Sequence, residues 1–465
     1  MPSSPVGRLL PWIFVLYAGI AVIFLACAIP PLQVPDEPNH FLRADEVSRG
    51  EPVGRHLGAT SGGGTADPAI LALAQLYAAL PFHGETRTGP EQAAAAAALR
   101  WSAAPATLAF GNTVTYGPLL YLPAALAIRI GRARDQPDAR TLILARLCNG
   151  MLGIAIGALA LALCRRARAL TFAGLLLPMT LGQLGSASQD ALLIPISVLA
   201  VALASRRGPA PASLRDAGLF AACVVVAAMA RLPMIGLAAL APLLAGRGAP
   251  AGRARLAFGL AAAALVLAWV AVANRSMPGY TQAAAVRQQL AFLLSQPLAG
   301  LAVARDTVLA LDAGFWRSVV GLLGWVDTPM PRWYYTAAAI ALAVALWAGS
   351  NPAPWLGPAL LAALTIAVTA LLIGGALYLT WTPVGAPTVL GLQGRYLLPL
   401  LPLAGWLAPP VAGWAQRPRA RLRAALWLPV LLFPVATLAT LPHAVIDRYY
   451  GSAGAMAACL RALLG

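Results

Sequence analysis

Apolar runs close to 20 residues long recur along almost the whole sequence. A run of that length crosses the hydrocarbon of a bilayer as one helix, because every backbone polar group must be satisfied within the segment. The 465-residue chain is 60% hydrophobic and only 11% charged. That composition excludes a large soluble domain and predicts an all-α polytopic membrane protein. About eleven spans are predicted, at 9–29, 142–164, 170–187, 190–205, 217–230, 233–245, 255–273, 333–348, 358–380, 396–414 and 424–441. Residues 9–29 also resemble a signal peptide, and Phe24-Leu25-Ala26-Cys27 faintly resembles a lipoprotein box. The run is long for a signal sequence and further spans follow, so it is read as an uncleaved first span.

All 33 basic residues are Arg. They concentrate in short loops, which argues against a nucleic-acid partner and sets an orientation. Arg8, Arg165/Arg166/Arg168, Arg206/Arg207/Arg215, Arg247/Arg253/Arg255 and Arg417/Arg419/Arg421/Arg423 mark the cytoplasmic side. Loop 349–357 has no Arg and is placed by parity. Both flanks of 217–245 are Arg-rich, so two crossings are needed, with Arg231-Leu232-Pro233 at the tip of a hairpin. The N-terminus then lies inside and the C-terminus outside. The chain reads as one transmembrane domain, 1–465, with a large first outer loop, 30–141, a second outer segment, 274–332, and a short outer tail, 442–465. The first loop is expected to hold helices at 68–80 and 91–101, a Gly-rich link at 61–64 and an interfacial helix at Tyr116–Gly131. An amphipathic segment at 298–313 is also expected on the membrane surface. Cys27, Cys148, Cys164, Cys223 and Cys459 show no disulfide or zinc spacing.

Of 16 acidic residues, only Asp216 falls in a cytoplasmic loop, so any carboxylate chemistry belongs to the outer face. A proton-coupled transporter would more typically carry carboxylates near the midplane. The stretch Pro35–Gly50, which follows the first span, is the densest candidate. A helix starting near Asp36 would bring Asp36, His40 and Arg43 to one face at i, i+4 and i+7. A capped juxtamembrane helix with solvated charges is the plain alternative. Asp36 and Glu37 are adjacent carboxylates, suited to one general base and one orienting or metal-binding group. Two carboxylates alone do not complete a divalent-metal site. Asp190, in Ser186–Asp190, is either a helix cap or an acceptor-binding carboxylate. Trp325 and Asp327 are either an interfacial anchor or a sugar platform. Arg395 and Tyr396 are either anchors or a phosphate clamp, and Arg231 is the other phosphate candidate. His56, His83 and His443 are scattered and show no metal spacing.

Taken together, PDEPNHF at 35–41, YGPLLYLP at 116–123, ARLCN at 145–149, LPMTL and SASQDAL between 177 and 192, GWVDTPMP at 324–331 and QGRYLLPLLPL at 393–403 resemble an uncharacterised bacterial family of predicted membrane proteins. That family resembles the GT-C glycosyltransferase superfamily. The resemblance implies a polyprenyl-phosphate-linked sugar as donor, a cell-envelope acceptor, and action at the periplasmic face of the bacterial inner membrane. It places the acidic motif on Asp36 as general base and Glu37 as acceptor-orienting or metal-binding group. Charge and placement assign Arg395, Arg231, His40 and Arg43 to the donor phosphate, and Asp190, Trp325, Asp327 and Tyr396 to the acceptor or sugar. The chain lacks the large soluble C-terminal domain of some GT-C enzymes. A flippase for a lipid-linked glycan and a non-catalytic scaffold for an envelope-polysaccharide complex are the alternatives. A transferase makes a bond, a flippase only moves its carrier, and a scaffold tolerates loss of Asp36 and Arg395.

Overall fold

The computed structural model describes residues 5–58, 61–102, 104–206, 213–244, 249–276, 280–348, 355–409 and 417–465. The structure is mostly helical, as the apolar runs require. Among the described residues, five helices are long and apolar enough to cross a membrane: Gly7–Ala28, Asp138–Leu163, Arg253–Ala273, Leu356–Thr380 and Ala425–Tyr449. The other expected spans are shorter elements. Residues 170–187 break at Pro178 into helices Arg168–Leu175 and Pro178–Leu184. Residues 217–245 break at Arg231 into helix Leu214–Ala230 and the 3-10 run Leu232–Leu243. Residues 333–348 form helix Arg332–Ala348, whose 17 residues rise about 25 Å. The start of 396–414 is a 3-10 turn, Gly394–Leu400, followed by helix Leu401–Ala404. Residues 410–414 of that expected span, like Arg207 and Arg247 among the orientation markers, lie outside the described residues.

The short segments are short because they form the core. Ala169, Leu170, Phe172, Leu177, Leu181, Leu184, Leu193 and Val201 are all sealed from the surface. Helix Pro5–Ala28 packs Leu10, Phe14, Ala18, Val22 and Leu25 into the same core. Gly153 lets helix Asp138–Leu163 approach the Ala191 carbonyl so closely that a Cβ would collide with it, the small-residue contact common between membrane helices.

The first large loop differs from expectation in two respects. Ser61–Ala66, expected as a Gly-rich link, is the central strand of a three-stranded antiparallel sheet with Arg55–Leu57 and Ala106–Ala109. The glycines are there for space. A Cβ on Gly63 would strike the Leu108 carbonyl, and one on Gly64 would strike the Glu46 carboxylate. The expected helices appear as Ala69–Leu76 and Pro90–Ala98. The expected interfacial helix becomes a 3-10 turn, Pro118–Tyr121, leading into Leu122–Ala133, which exposes Leu122 and Leu126 on one side. The tail is also built in, because helix Ala453–Leu464 packs on helix Pro90–Ala98 of the first loop.

Candidate functional site

The site begins with a backbone turn. Asp36 has φ 61° and ψ 4°, in the left-handed region that Asp tolerates better than most residues. Its carbonyl accepts from His40 N at 3.0 Å and starts helix Glu37–Ser48. Its side chain makes no capping bond, so the capped-helix alternative is not what this residue forms. The carboxylate instead reaches across the molecule. Oδ2 accepts from Arg395 Nη2 at 2.9 Å, and Oδ1 accepts from Asn112 Nδ2 at 3.2 Å. Asn112 Oδ1 accepts in turn from Asn39 Nδ2 at 2.7 Å, so Asn112 ties the carboxylate to its own helix. The Asp36 side chain is 38% exposed and that of Arg395 only 3%. Solvent or substrate therefore reaches this pair from the carboxylate side.

Behind Asp36 lies a second layer of charge. Arg231 Nη2 donates to Asp190 Oδ1 at 2.9 Å and to Oδ2 at 3.2 Å. Arg395 Nε lies 4.0 Å from Asp190 Oδ2, beyond hydrogen-bonding range, and has no acceptor. Both guanidinium groups sit against one ring, Arg231 at 4.7 Å and Arg395 at 5.3 Å from the Tyr396 centroid. Two guanidinium groups thus share one buried carboxylate and one aromatic ring, and Asp36 completes their charge balance. Of the two readings of Asp190, the helix cap is absent: the cap position is Gln189, and the Asp190 side chain pairs with Arg231 instead.

His40 lies beside this cluster but does not add charge to it. Its Nδ1 is 2.7 Å from Tyr121 Oη, and its ring stacks on Tyr116 at 6.2 Å. Burial lowers its pKa to about 4, although Asp36 and Asp190 oppose the change. A neutral imidazole replaces the phosphate-binding cation expected at this position.

Four other expected site residues, Glu37, Arg43, Asp327 and Trp325, make structural contacts. Glu37 is fully buried and faces away from Asp36. Its Oε1 accepts from Arg146 Nε and Ala187 N, both at 2.9 Å, and its Oε2 from Arg146 Nη2 at 2.6 Å. Arg146 also donates to the carbonyls of Ala26, Ile29 and Pro30. This pair therefore clamps the end of the first helix to helix Asp138–Leu163 and to the 186–188 turn. Arg43 is also turned inward, paired with Glu46 and donating to Pro52 O at 2.6 Å and Tyr116 O at 3.1 Å. Burial pushes the Glu46 carboxyl up to about 7, with Arg43 opposing. Asp327 Oδ2 accepts from Arg448 Nη2 at 2.7 Å and Phe82 N at 3.0 Å, and the Trp325 ring packs edge-on against Phe82 at 5.9 Å. Among the described residues, no hydrogen bond or ion pair joins Trp325 or Asp327 to Asp36.

The donor set does not suit a metal at Asp36 and Glu37. The two carboxylates diverge, and both oxygens of Glu37 are already occupied. Among the described residues, no group of three or more His, Cys, Asp or Glu is placed to hold an ion. The five cysteines are free thiols.

Asn112 and Arg146 were not singled out from the sequence. Arg146 carried a usable signal, since an arginine within an apolar helix requires a buried partner. Asn112 carried none, because its role depends on a contact 76 residues away.

Residues 19–404 match the model of a family described as "Predicted membrane protein (DUF2142)". The chain belongs to this family. The DUF2142 match contains every residue of the Asp36–Arg395–Asp190–Arg231 cluster. No curated protein and no solved structure matches the chain.

Proposed function

We propose that this DUF2142 protein is a GT-C-like glycosyltransferase of the bacterial inner membrane, acting at the periplasmic face with an inside N-terminus and an outside C-terminus. The donor would be a polyprenyl-phosphate-linked sugar and the acceptor a hydroxyl group of the cell envelope. One observation carries the reading: a partly exposed carboxylate, Asp36, touches a buried arginine, Arg395, whose Nε has no acceptor.

That arrangement suits a displacement at a sugar's anomeric carbon. Arg395 and Arg231 receive the donor phosphate. A planar guanidinium fits two phosphate oxygens, and burial strengthens the attraction. As Arg395 turns to the phosphate, Asp36 keeps its bond to Asn112 and loses its counter-ion. The acceptor O–H gives its proton to Asp36, and its oxygen forms the new bond to the anomeric carbon. The bond from that carbon to the phosphate oxygen breaks, and its electron pair leaves with the phosphate. Attack opposite the leaving group inverts the anomeric configuration.

Lipid extract containing the donor, incubated with purified protein in lipid nanodiscs, tests the reading. Asp36→Asn should remove sugar transfer and leave the protein folded. Transfer by Asp36→Asn at the wild-type rate would exclude Asp36 as base. Carrier movement across vesicles with no new glycosidic bond would favour the flippase.

A further inference from the structure

A separate cavity of about 290 Å³ opens between the stretches 307–318 and 388–392. Its volume is near the lower edge of the range for small-molecule sites. Thr307, Asp312, Phe315 and Ser318 line one side, and Thr388 and Gly391 the other. The cavity adjoins the Asp36 cluster through the backbone. Ser318 Oγ accepts from Gly394 N at 2.9 Å, and the next residue, Arg395, holds Asp36.

The lining selects a chemical class. Asp312 Oδ1 accepts from Phe315 N at 2.9 Å and caps helix Ala313–Val320. No arginine pairs with Asp312 among the described residues, so its carboxylate keeps acceptor capacity. That charge repels a phosphate or carboxylate ligand. It also disfavours a prenyl or acyl chain, which would strip water from the carboxylate without replacing its hydrogen bonds. Thr307 serves the wall, donating to Val303 O at 2.7 Å and accepting from Val389 N at 2.9 Å. The Phe315 ring offers an apolar face, while Asp312 and Thr388 offer hydrogen bonds. An uncharged polyhydroxylated ring satisfies all of these: its hydroxyls meet Asp312 and Thr388, and its C–H face meets Phe315.

We propose that this cavity is a carbohydrate-binding site that docks the acceptor glycan. The acceptor role rests on the sugar-transfer reading, whereas carbohydrate binding at this place does not. Of the residues expected to bind sugar, Asp190, Asp327 and Tyr396 contact arginines and Trp325 packs on Phe82, and none of the four lines this cavity.

The test is calorimetric titration of the full chain in lipid nanodiscs free of glycoside detergents. The probes are methyl glycosides and disaccharides of glucose, galactose, mannose and N-acetylglucosamine. At least one should bind saturably. Ala310→Trp, which fills the cavity from its edge, should abolish that binding. Asp312→Asn, which keeps the helix cap, should weaken it about tenfold, the effect of losing one hydrogen bond to a charged group. Absence of saturable binding by every probe overturns the proposal. So does binding unchanged by Ala310→Trp, or displacement of the saccharide by farnesol. If the saccharide binds as described but Asp36→Asn still transfers sugar, the cavity assignment stands and the catalytic reading fails.

Discussion

The Asp36 carboxylate accepts a 2.9 Å hydrogen bond from Arg395 Nη2, although 359 residues separate the two. The contact joins the turn after the first helix to the Gly394–Leu400 turn near the other end of the chain. It sets a carboxylate exposed to incoming ligand against a guanidinium that is not. Most functional consequences of the fold can be tested by perturbing this contact and the groups that hold it.

Arg395→Lys keeps a positive charge but removes the planar fork. Sugar transfer should fall at least tenfold, while the protein remains folded because Asp36 and Asp190 still meet a cation. Arg395→Ala should lower stability by about 3 kcal/mol as well, since it leaves Asp190 with a single partner in a buried site. Thermal unfolding beside transfer rates separates the two effects.

Glu37→Gln or Arg146→Met should each destabilise the protein by about 3–5 kcal/mol, because each leaves a buried charge without its partner. The double variant Glu37→Gln/Arg146→Met should be less destabilised than the sum of the single changes. Additive losses in denaturant titrations would show that the two residues act separately.

Gly394→Ala should displace Arg395. A Cβ at Gly394 would collide with the Val319 backbone nitrogen, and backbone has little room to yield. The expected cost is about 1–3 kcal/mol, with transfer impaired more than stability. A variant with wild-type transfer would show that the placement of Arg395 is not critical.

His40 links stability to pH. Its pKa is about 4 in the folded chain, below the ordinary value of 6.5. Between those values the unfolded state binds the proton and the folded state does not, so stability falls as pH drops from 6.5 to 4. The full loss is about 3 kcal/mol, and no more is lost below pH 4 through this group. His40→Gln should flatten this part of the pH profile of the unfolding temperature.

Much of the site was legible as residues, but less of it as partners. Asp36, Arg231, Asp190, Arg395 and Tyr396 stood out because charge beside an apolar span needs a reason, and the fold does bring them together. Glu37 was read with Asp36 because the two are adjacent. Adjacency fixed only that their side chains diverge, and the destination of Glu37 depended on Arg146, 109 residues away. Arg43 also turns inward: its partner Glu46 lies one turn on in the same helix, but its other acceptors, Pro52 O and Tyr116 O, are tertiary contacts. Span counting met a different limit. Hydropathy reports that a segment is apolar, but not whether protein or lipid covers it. Residues 170–187 and 190–205 are therefore indistinguishable by composition from lipid-facing helices, although the fold buries them. The glycines at 62–64 looked like a link because their spacing from the Leu108 carbonyl and Glu46 is a tertiary fact.

The most direct test compares envelope glycans and polyprenyl-linked sugars by mass spectrometry in wild type, a deletion, and the deletion complemented with Asp36→Asn. The account predicts that one sugar decoration disappears in both mutants while its lipid-linked donor accumulates. Restoration of that decoration by Asp36→Asn would contradict it.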